Sequence, residues 1–293
     1  MSTQLTFVHA LSPLHAGIGQ GAGVIDLPIA REKSTGLPFL PGSSLKGALR
    51  ALCVDQGKRT KVFGPDTAGS DPNSDYASSI QFSDQRLLLL PIRSLAGTFA
   101  WVTSPYVLRR LVRDLQDIRL SPPANIPTPN EKEHCYIDRT RSKITLDGKR
   151  VYLEDLDLIP QDEDATAWAT WIGQKVFSDP TWQQMLAERF CIIHDDVFNF
   201  LIDTATEITT RIKLKEDTKT VDTDTGGLWY EEALPTETVL YGLALATPVN
   251  AAKMTSQEVF TELTNLISKT VQLGGKATVG RGICQVQMVQ GGA

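Results

Sequence analysis

The chain has 293 residues, of which 41% are hydrophobic and 22% are charged, and its net charge is −5 at pH 7. This composition is typical of a globular protein with a large core. The longest apolar run, residues 87–92, is far too short to cross a bilayer, and the start MSTQLTFVH lacks the basic and apolar stretches of a signal peptide. We therefore expect a cytoplasmic protein that does not associate with a membrane.

The cysteines exclude two common architectures. They are widely scattered and form no CxxC pair, so neither a zinc site nor a secreted disulfide framework is indicated. We expect most of them to be core thiols. The four are Cys53, Cys135, Cys191 and Cys284.

Charge is distributed unevenly along the chain. The acidic total argues against nucleic-acid binding, for which a basic surface is the usual sign. However, residues 1–61 hold seven basic and three acidic side chains, whereas residues 150–200 hold three basic and ten acidic ones. Because salt screens surface charges beyond about 8 to 10 Å, a local basic face can still bind phosphates.

Hydrophobic periodicity predicts the following elements in chain order. The predicted strands are residues 5–11, 80–90, 98–102, 238–246 and 283–289, and the predicted helices are residues 44–54, 105–117, a helix through 168–176, and 256–271. Residues 121–130, SPPANIPTPN, contain too many prolines for a helix or a central strand and are predicted to form a loop.

This order predicts an α+β protein with a ferredoxin-like sheet, similar to an RNA recognition motif, whose open face can bind single-stranded RNA. We assign residues 1–104 and 234–293 to this sheet domain and residues 105–204 to a mainly helical insertion. Residues 205–233 are predicted to form a long β-hairpin, because two extended segments flank a polar turn at 216–227.

The predicted helix at residue 44 has the features of a phosphate site. Ser43 or Ser44 can cap its first turn, and Lys46 and Arg50 stand one turn apart on the same face. Free amides, two hydroxyls and the helix dipole favour an anion there. From the helix alone, an ordinary capped surface helix with solvated basic side chains is the alternative.

A second glycine-rich segment lies near the C-terminus. The sequence LGGKATVGRG, residues 273–282, places Lys276 and Arg281 among four glycines, directly before the last predicted strand. Glycine allows the main chain to approach a ligand closely. No GKS or GKT triplet occurs, and no GxGxxG follows a strand and opens a helix, so a Walker loop and a dinucleotide site are excluded.

Three segments carry a resemblance to a known family: SPLHAGIGQGAGVIDLPIARE, PFLPGSSLKGALR and GGKATVGRG. They resemble the RAMP superfamily of CRISPR-associated RNA-binding proteins and, within it, the backbone subunits of type III-B (Cmr) effector complexes. Residues 210–242 also resemble the thumb hairpin of those subunits. The matches lie at both ends of the chain and in the right order.

The resemblance implies a palm, fingers-like helices and a thumb, and a subunit that polymerises along a guide RNA (crRNA). Its partners would be crRNA, target RNA, copies of itself and other Cmr subunits. The thumb would displace a base pair of the guide–target duplex at regular intervals, where the target RNA is cleaved. The positions predicted to contact RNA are His15, Gly17, Arg31, Ser43, Ser44, Lys46, Arg50, Lys276 and Arg281.

Asp26 is the predicted catalytic residue. It lies between a series of glycines and Pro28, with no acidic neighbour nearer than Glu32, so the local sequence shows no carboxylate pair. The resemblance places Asp26 at the aspartate that cleaves RNA in the family. Mg²⁺ or another divalent cation is expected at Asp26, because Mg²⁺ binds through one or two carboxylates and substrate phosphates. From the residues alone, a hydrogen bond to a local turn is the alternative.

Three further side chains are predicted to assist. His15 can act as an acid or base near neutral pH or donate to a phosphate, and binding is the preferred interpretation. Tyr230 and Glu231, on the returning hairpin strand, are predicted to approach the scissile link from a neighbouring subunit. Two other functions stay open: a non-catalytic scaffold on crRNA, and a stand-alone RNA-processing nuclease that uses His15 without metal.

Overall fold

The computed structural model describes residues 2–21, 23–65, 77–162, 165–215, 217–218, 220–221, 227–249 and 252–291, without the side chain of Asp117. Its strands are β1 Ser2–Ala10, β2 Phe39–Leu40, β3 Ile80–Phe82, β4 Gln85–Arg93, β5 Phe99–Thr103, β6 His134–Ile137, β7 Thr145–Leu146, β8 Arg150–Leu153, β9 Leu156–Pro160, β10 Phe190–Ile193, β11 Glu207–Ile212, β12 Leu228–Ala233, β13 Val239–Ala246, β14 Val271–Gln272 and β15 Ile283–Gln290. Its helices are α1 Gly42–Leu52, α2 Gln56–Phe63, α3 Pro105–Leu115, α4 Thr166–Val176, α5 Pro180–Arg189, α6 Asp195–Thr204 and α7 Ser256–Leu266.

The predicted α+β ferredoxin-like sheet is confirmed. Its four strands lie in the order β15, β1, β13 and β4, and every neighbouring pair is antiparallel. In chain order this is fourth, first, third and second, with α1 and α7 as the two helices, as in a ferredoxin fold. The partner of β4 in this unit is β13, whereas β5, predicted as its pair, adds to the outer edge of β4.

Three boundaries differ from the sequence predictions. The predicted strand 80–90 is two strands, β3 and β4, which pair with successive parts of β13. Helix α3 ends at Leu115, where a 3-10 turn follows. Helix α7 ends at Leu266 instead of 271, because Val271 pairs with Cys284 at the sheet edge.

The sheet does not stop at the ferredoxin unit. Beyond β5 it continues through β10, β6, β9, β8 and β7, all from the segment predicted to be mainly helical. These strands have only two to five residues, and β10 is buried throughout. The sequence therefore contains no long alternation of polar and apolar residues that would have predicted them as strands. The division into palm (1–104 and 234–293), insertion (105–204) and thumb (205–233) stays a prediction, since the sheet is continuous across the first boundary.

The face expected to be open for RNA is covered. Residues 4–10 of β1 are buried on both faces of the strand. On one face, the inserted segment supplies the cover: the rings of Phe177 and Trp182 pack against His9, and Tyr241 donates to Asp114 of α3 (3.2 Å). At β1 the sheet therefore does not present the open face that was expected from the sequence.

The predicted hairpin is present as β11 and β12, which pair from Glu207–Ala233 to Ile212–Leu228. Most of its predicted tip, within 216–227, lies outside the described residues. The four cysteines are buried free thiols, as predicted. Within the described part of the chain, no helix has the length and apolarity to span a membrane.

Candidate nucleic-acid interface

The two glycine-rich segments, residues 12–31 and 273–282, meet in the structure. The N–H of Gly275 donates to the carbonyl of His15 (2.9 Å), and the N–H of Gly282 donates to that of Pro13 (2.9 Å). Together with α1 they enclose a cleft of about 410 Å³. We call it the glycine cleft; its lining residues are Ala16, Gly17, Ser44, Gly47, Ala48, Gln272, Gly274 and Gly275.

The lining of the glycine cleft is small and uncharged, so main-chain atoms are accessible there. Two of its glycines are required by close packing. A Cβ at Gly274, whose φ is +71°, would collide with the carbonyl of His15, and a Cβ at Gly17 would collide with the His15 ring. A cleft of this kind can bind a sugar–phosphate chain through backbone N–H groups.

Helix α1 starts earlier than predicted, and its start is capped differently. Pro41 is the N-cap and makes no side-chain cap; instead, the carboxylate of Asp84 accepts from the N–H of Gly42 (2.9 Å). Neither Ser43 nor Ser44 is the cap, which corrects the prediction. Ser44 lines the glycine cleft, and Ser43 is exposed in the first turn.

The two cations of α1 lie off the cleft wall. Lys46 donates to the hydroxyl of Ser78 (2.7 Å), and Arg50 donates to the carbonyl of Gly64 (2.7 Å). Burial and the neighbouring Arg50 charge both lower the pKa of Lys46. The sequence placed the two side chains on one face correctly but could not show that this face turns toward Gly64 and Ser78. Their contact with RNA stays a prediction.

His15 is an interior residue. Its side chain is covered by Gly17 and Gly275, it is 6% exposed, and Nδ1 lies 2.7 Å from the carbonyl oxygen of Glu232. This contact makes the carbonyl the acceptor and leaves Nε2 as the unprotonated nitrogen of the neutral ring. The imidazole therefore supports the loop of the glycine cleft, and its Nε2 could donate to a phosphate only if the ring were doubly protonated.

Asp26 is exposed and is tied to the thumb. Its Oδ2 accepts from the main-chain N–H of Tyr230 (2.8 Å). Around it, Leu27 and Glu231 form a parallel bridge, with the N–H of Leu27 donating to the Tyr230 carbonyl (3.0 Å). The loop of Asp26 thus pairs with β12 at an isolated bridge, and no local pattern could reveal a contact between residues 204 positions apart.

Glu231 has a different place from the one predicted. It is 2% exposed and accepts from Lys276 (2.7 Å), Trp229 (2.8 Å) and Arg211 (3.1 Å). Burial alone would raise the pKa of Glu231, but these donors outweigh it and lower the pKa from 4.5 to about 2. Its side chain therefore fastens both thumb strands to the C-terminal glycine loop, and the predicted approach to a neighbouring subunit's RNA is not supported. Tyr230, in contrast, is 37% exposed.

Two residues predicted to bind RNA also make internal contacts. Arg31 donates to Glu232 (2.6 Å), Gly36 and Ile202, which engages most of its guanidinium. Arg281 is 6% exposed, and its Nη2 donates to Thr209 and Glu207. Its Nε and Nη1 have no hydrogen-bond partner among the described residues.

Sequence reasoning missed Glu232. This side chain is 2% exposed and joins the Asp26 loop to β12, since it accepts from the N–H of Ile29 (3.1 Å) as well as from Arg31. The signal was the pair of adjacent acids at 231 and 232, which point to opposite sides of the strand and are both buried. Across the portions of the chain that the structure describes, no group of three His, Cys, Asp or Glu could hold a metal ion.

The comparisons with known proteins agree with this geometry. The model of the RAMP superfamily matches residues 7–285. This chain belongs to the RAMP superfamily. It is 37% identical to the CRISPR system Cmr endoribonuclease Cmr4 of Pyrococcus furiosus, over 98% of this chain and 96% of that protein. It is 24% identical to the CRISPR system CMR subunit Cmr4 of Saccharolobus solfataricus, over 96% and 94% of the two chains.

Solved structures of RAMP proteins share the fold. The crystal structure of oligomeric Cmr4 from Pyrococcus furiosus matches with a TM-score of 0.74 at 28% identity, over the whole of both chains. A chain of the type III-B Cmr-beta complex bound to cognate target RNA matches with a TM-score of 0.75 over 98% and 97% of the two chains; at 22% identity it shows the fold alone. The family resemblance drawn from the sequence is confirmed.

Proposed function

We propose that this RAMP protein is a backbone subunit of a type III-B CRISPR effector, which polymerises along crRNA and cleaves complementary target RNA at regular intervals. The observation that supports this most is the exposed carboxylate of Asp26, which is held by the thumb strand on a segment whose Ile29 forms a bridge with Gly17 of the glycine cleft. A relative 37% identical over nearly its whole length is named an endoribonuclease, which supports cleavage here.

The glycine cleft would bind the guide backbone. Its uncharged, small lining suits main-chain contacts to phosphates and riboses, which carry no base sequence information. Lys46 and Arg50 on α1, and Lys276 on the C-terminal glycine loop, belong to segments that form it and would add sequence-independent attraction. Such a site accepts any guide, as a CRISPR effector requires.

At Asp26 the reaction would be an intramolecular transesterification of the target strand, in which a 2′-hydroxyl attacks the adjacent phosphate. Distortion by the thumb would align a ribose 2′-hydroxyl with its adjacent phosphate, and alignment of this kind supplies much of a rate enhancement. The oxygen of the 2′-hydroxyl bonds to phosphorus as the bond from phosphorus to the 5′-oxygen breaks. The departing oxygen takes a proton from water, which gives a 2′,3′-cyclic phosphate and a 5′-hydroxyl. Asp26 would accept the 2′-hydroxyl proton.

A divalent cation fits this position only with RNA and water as its other ligands, since Asp26 is a lone exposed carboxylate and Glu231 is occupied by three donors. Such a cation would neutralise charge on the phosphate when bound.

Other copies of the chain are the proposed protein partners. One side of the hairpin presents Ile208, Ile212 and Leu228, each more than half exposed. Their cross-strand register places them on one face, opposite the face of Arg211 and Glu231. An apolar hairpin face of this kind is suited to contact a neighbouring subunit or the stacked bases of a duplex.

The decisive experiment compares wild type and Asp26→Ala in the assembled complex, with target binding and cleavage measured separately. We expect normal binding and loss of cleavage; retained cleavage would remove Asp26 from the mechanism. Cleavage that stops in EDTA and returns with Mg²⁺ would support the metal. Binding without cleavage in wild type would indicate the scaffold alternative. Cleavage by the isolated chain in EDTA would indicate the His15 nuclease, against which the burial of His15 argues.

A further inference from the structure

A second cleft lies on the other side of the segments that form the glycine cleft. It has a volume of about 340 Å³, within the usual range for small-ligand sites. We call it the aromatic cleft and define it by His9, Leu11, Phe177, Trp182, Gln285 and Gln287. Phe177 and Trp182 come from the inserted segment, and the glutamines come from β15.

Two polar side chains of this cleft are available to a ligand. The indole N–H groups of the other tryptophans, at 101, 168, 171 and 229, all donate within the chain. Among the residues that the structure describes, Trp182 and Gln287 have no side-chain hydrogen bond, and both are only half-buried. A half-buried aromatic ring and a free amide are the groups that proteins use to stack an unpaired base and bind its edge.

The charge of the aromatic cleft selects against phosphate. Its described lining contains no lysine or arginine, and the carboxylate of Asp179 lies at its rim. The amide of Gln287 offers both a donor and an acceptor, which matches the mixed edge of a nucleobase. The chemistry therefore favours a neutral planar heterocycle over an anion.

The position of the aromatic cleft relates it to the RNA path. The glycine loop leads directly into β15, and the N–H of Leu11 donates to the carbonyl of Ile283 (2.8 Å), so the same two segments line both clefts. Gln285 follows Gly282 by three residues, a separation of roughly 10 Å in an extended strand. An RNA strand that ran from the glycine cleft along the C-terminal loop to β15 would bring its bases to the aromatic cleft.

We propose that the aromatic cleft binds one unpaired RNA base, which stacks on Trp182 and is hydrogen-bonded by Gln287. This inference rests on the proposed RNA binding and adds a base-binding site to it.

The test uses the full complex assembled on guide RNAs, or bound to target RNAs, that carry a single 4-thiouridine at successive positions. After irradiation and RNA digestion, mass spectrometry locates the cross-links. We expect cross-links to tryptic peptides 176–189 or 282–293 from a subset of positions. Gln287→Glu should reduce them about 5-fold or more, the range expected for loss of one base contact. Gln290→Glu, on the same strand but outside the cleft, should not.

The outcomes separate the two proposals. If the complex binds RNA but no position cross-links to these peptides, or if Gln287→Glu leaves the yield unchanged, the base site is wrong and the proposed function stands. If RNA does not bind at all, both fail. If Trp182→Ala weakens association between copies while Trp182→Phe and wild type give no cross-link, the cleft is a protein contact and the inference is overturned.

Discussion

The carboxylate of Asp26 accepts a hydrogen bond from the main-chain N–H of Tyr230 at 2.8 Å. The proposed catalytic group and the thumb strand are therefore joined by a contact that involves no thumb side chain. A substitution at Tyr230 would leave this contact in place, whereas a shift of β12 would move Asp26.

Asp26→Asn should separate geometry from chemistry. The amide oxygen can still accept from Tyr230, so folding and RNA binding should be unchanged, while loss of the charged base should lower the cleavage rate about 10²- to 10⁴-fold. Single-turnover cleavage and target-binding assays on the same complex measure the two effects. Asp203→Asn, an exposed acid on α6, is a matched control that should cleave normally. Cleavage by Asp26→Asn at the wild-type rate would contradict the assignment.

Glu231→Gln should destabilise the protein by about 1 to 3 kcal/mol at pH 7, because it leaves Lys276 and Arg211 facing each other without a buried anion; their partial exposure to water keeps the loss below that of a fully buried pair. The folded-state pKa of about 2 is below the ordinary 4.5, so the stabilisation is present above pH 4.5 and is lost as the pH falls toward 2. Urea unfolding at several pH values measures it.

The difference between wild type and Glu231→Gln should therefore shrink below pH 4.5. Glu131→Gln, an exposed site, should parallel wild type at every pH. A pH-independent difference would show that Glu231 contributes by packing and not by its charge.

Gly47→Ala should make the protein more stable and bind RNA more weakly. An added Cβ at Gly47 meets no atom within 4 Å, and alanine is favoured over glycine in a helix by about 0.5 to 1 kcal/mol. Since Gly47 lines the glycine cleft, the methyl group would occupy space proposed for the guide backbone. Thermal unfolding and crRNA binding at fixed salt measure both effects.

Gly57→Ala provides the matched control for Gly47→Ala. Gly57 lies in α2, outside the glycine cleft, so RNA affinity should not change there. Unchanged affinity in Gly47→Ala would place the guide elsewhere.

Arg31 and Glu232 should be energetically coupled. Arg31→Ala leaves the buried Glu232 carboxylate without its cation, and we expect a loss of about 3 kcal/mol. The double variant Arg31→Ala with Glu232→Gln should be more stable than the sum of the single variants predicts. Urea unfolding of the four proteins completes the cycle. Additive losses, together with weaker RNA binding by Arg31→Ala alone, would favour the direct RNA contact predicted from the sequence.

Lys46→Ala with Arg50→Ala should weaken crRNA binding and lower the slope of log affinity against log salt by about 0.7 for each phosphate that is no longer bound. Binding titrations at several salt concentrations measure this slope. Lys149→Ala with Arg119→Ala removes two exposed charges elsewhere and should leave it unchanged. If the α1 variant also keeps the wild-type slope, its cations serve contacts within the chain, such as those with Ser78 and Gly64, and do not bind RNA phosphates.

Periodicity in the sequence predicted the ferredoxin-like unit because its elements are long and amphipathic, as in α1 and β15. It missed β6 to β10, because strands of two to five residues are too short to show a clear period. For the site, the sequence singled out the two glycine-rich loops, which the structure brings together. The sequence could not show which way Lys46 points or that Glu231 is buried, since both depend on packing between distant segments.

The first strand of the sheet is bonded on both sides by strands from the last fifth of the chain, β13 and β15. During synthesis, β1 therefore leaves the ribosome long before either neighbour exists. Such distant pairing is slow and leaves strand edges exposed to aggregation. A ribosome-bound chain truncated before residue 239 should be protease-sensitive at its N-terminus, and prompt assembly with RNA or other copies would protect newly completed chains.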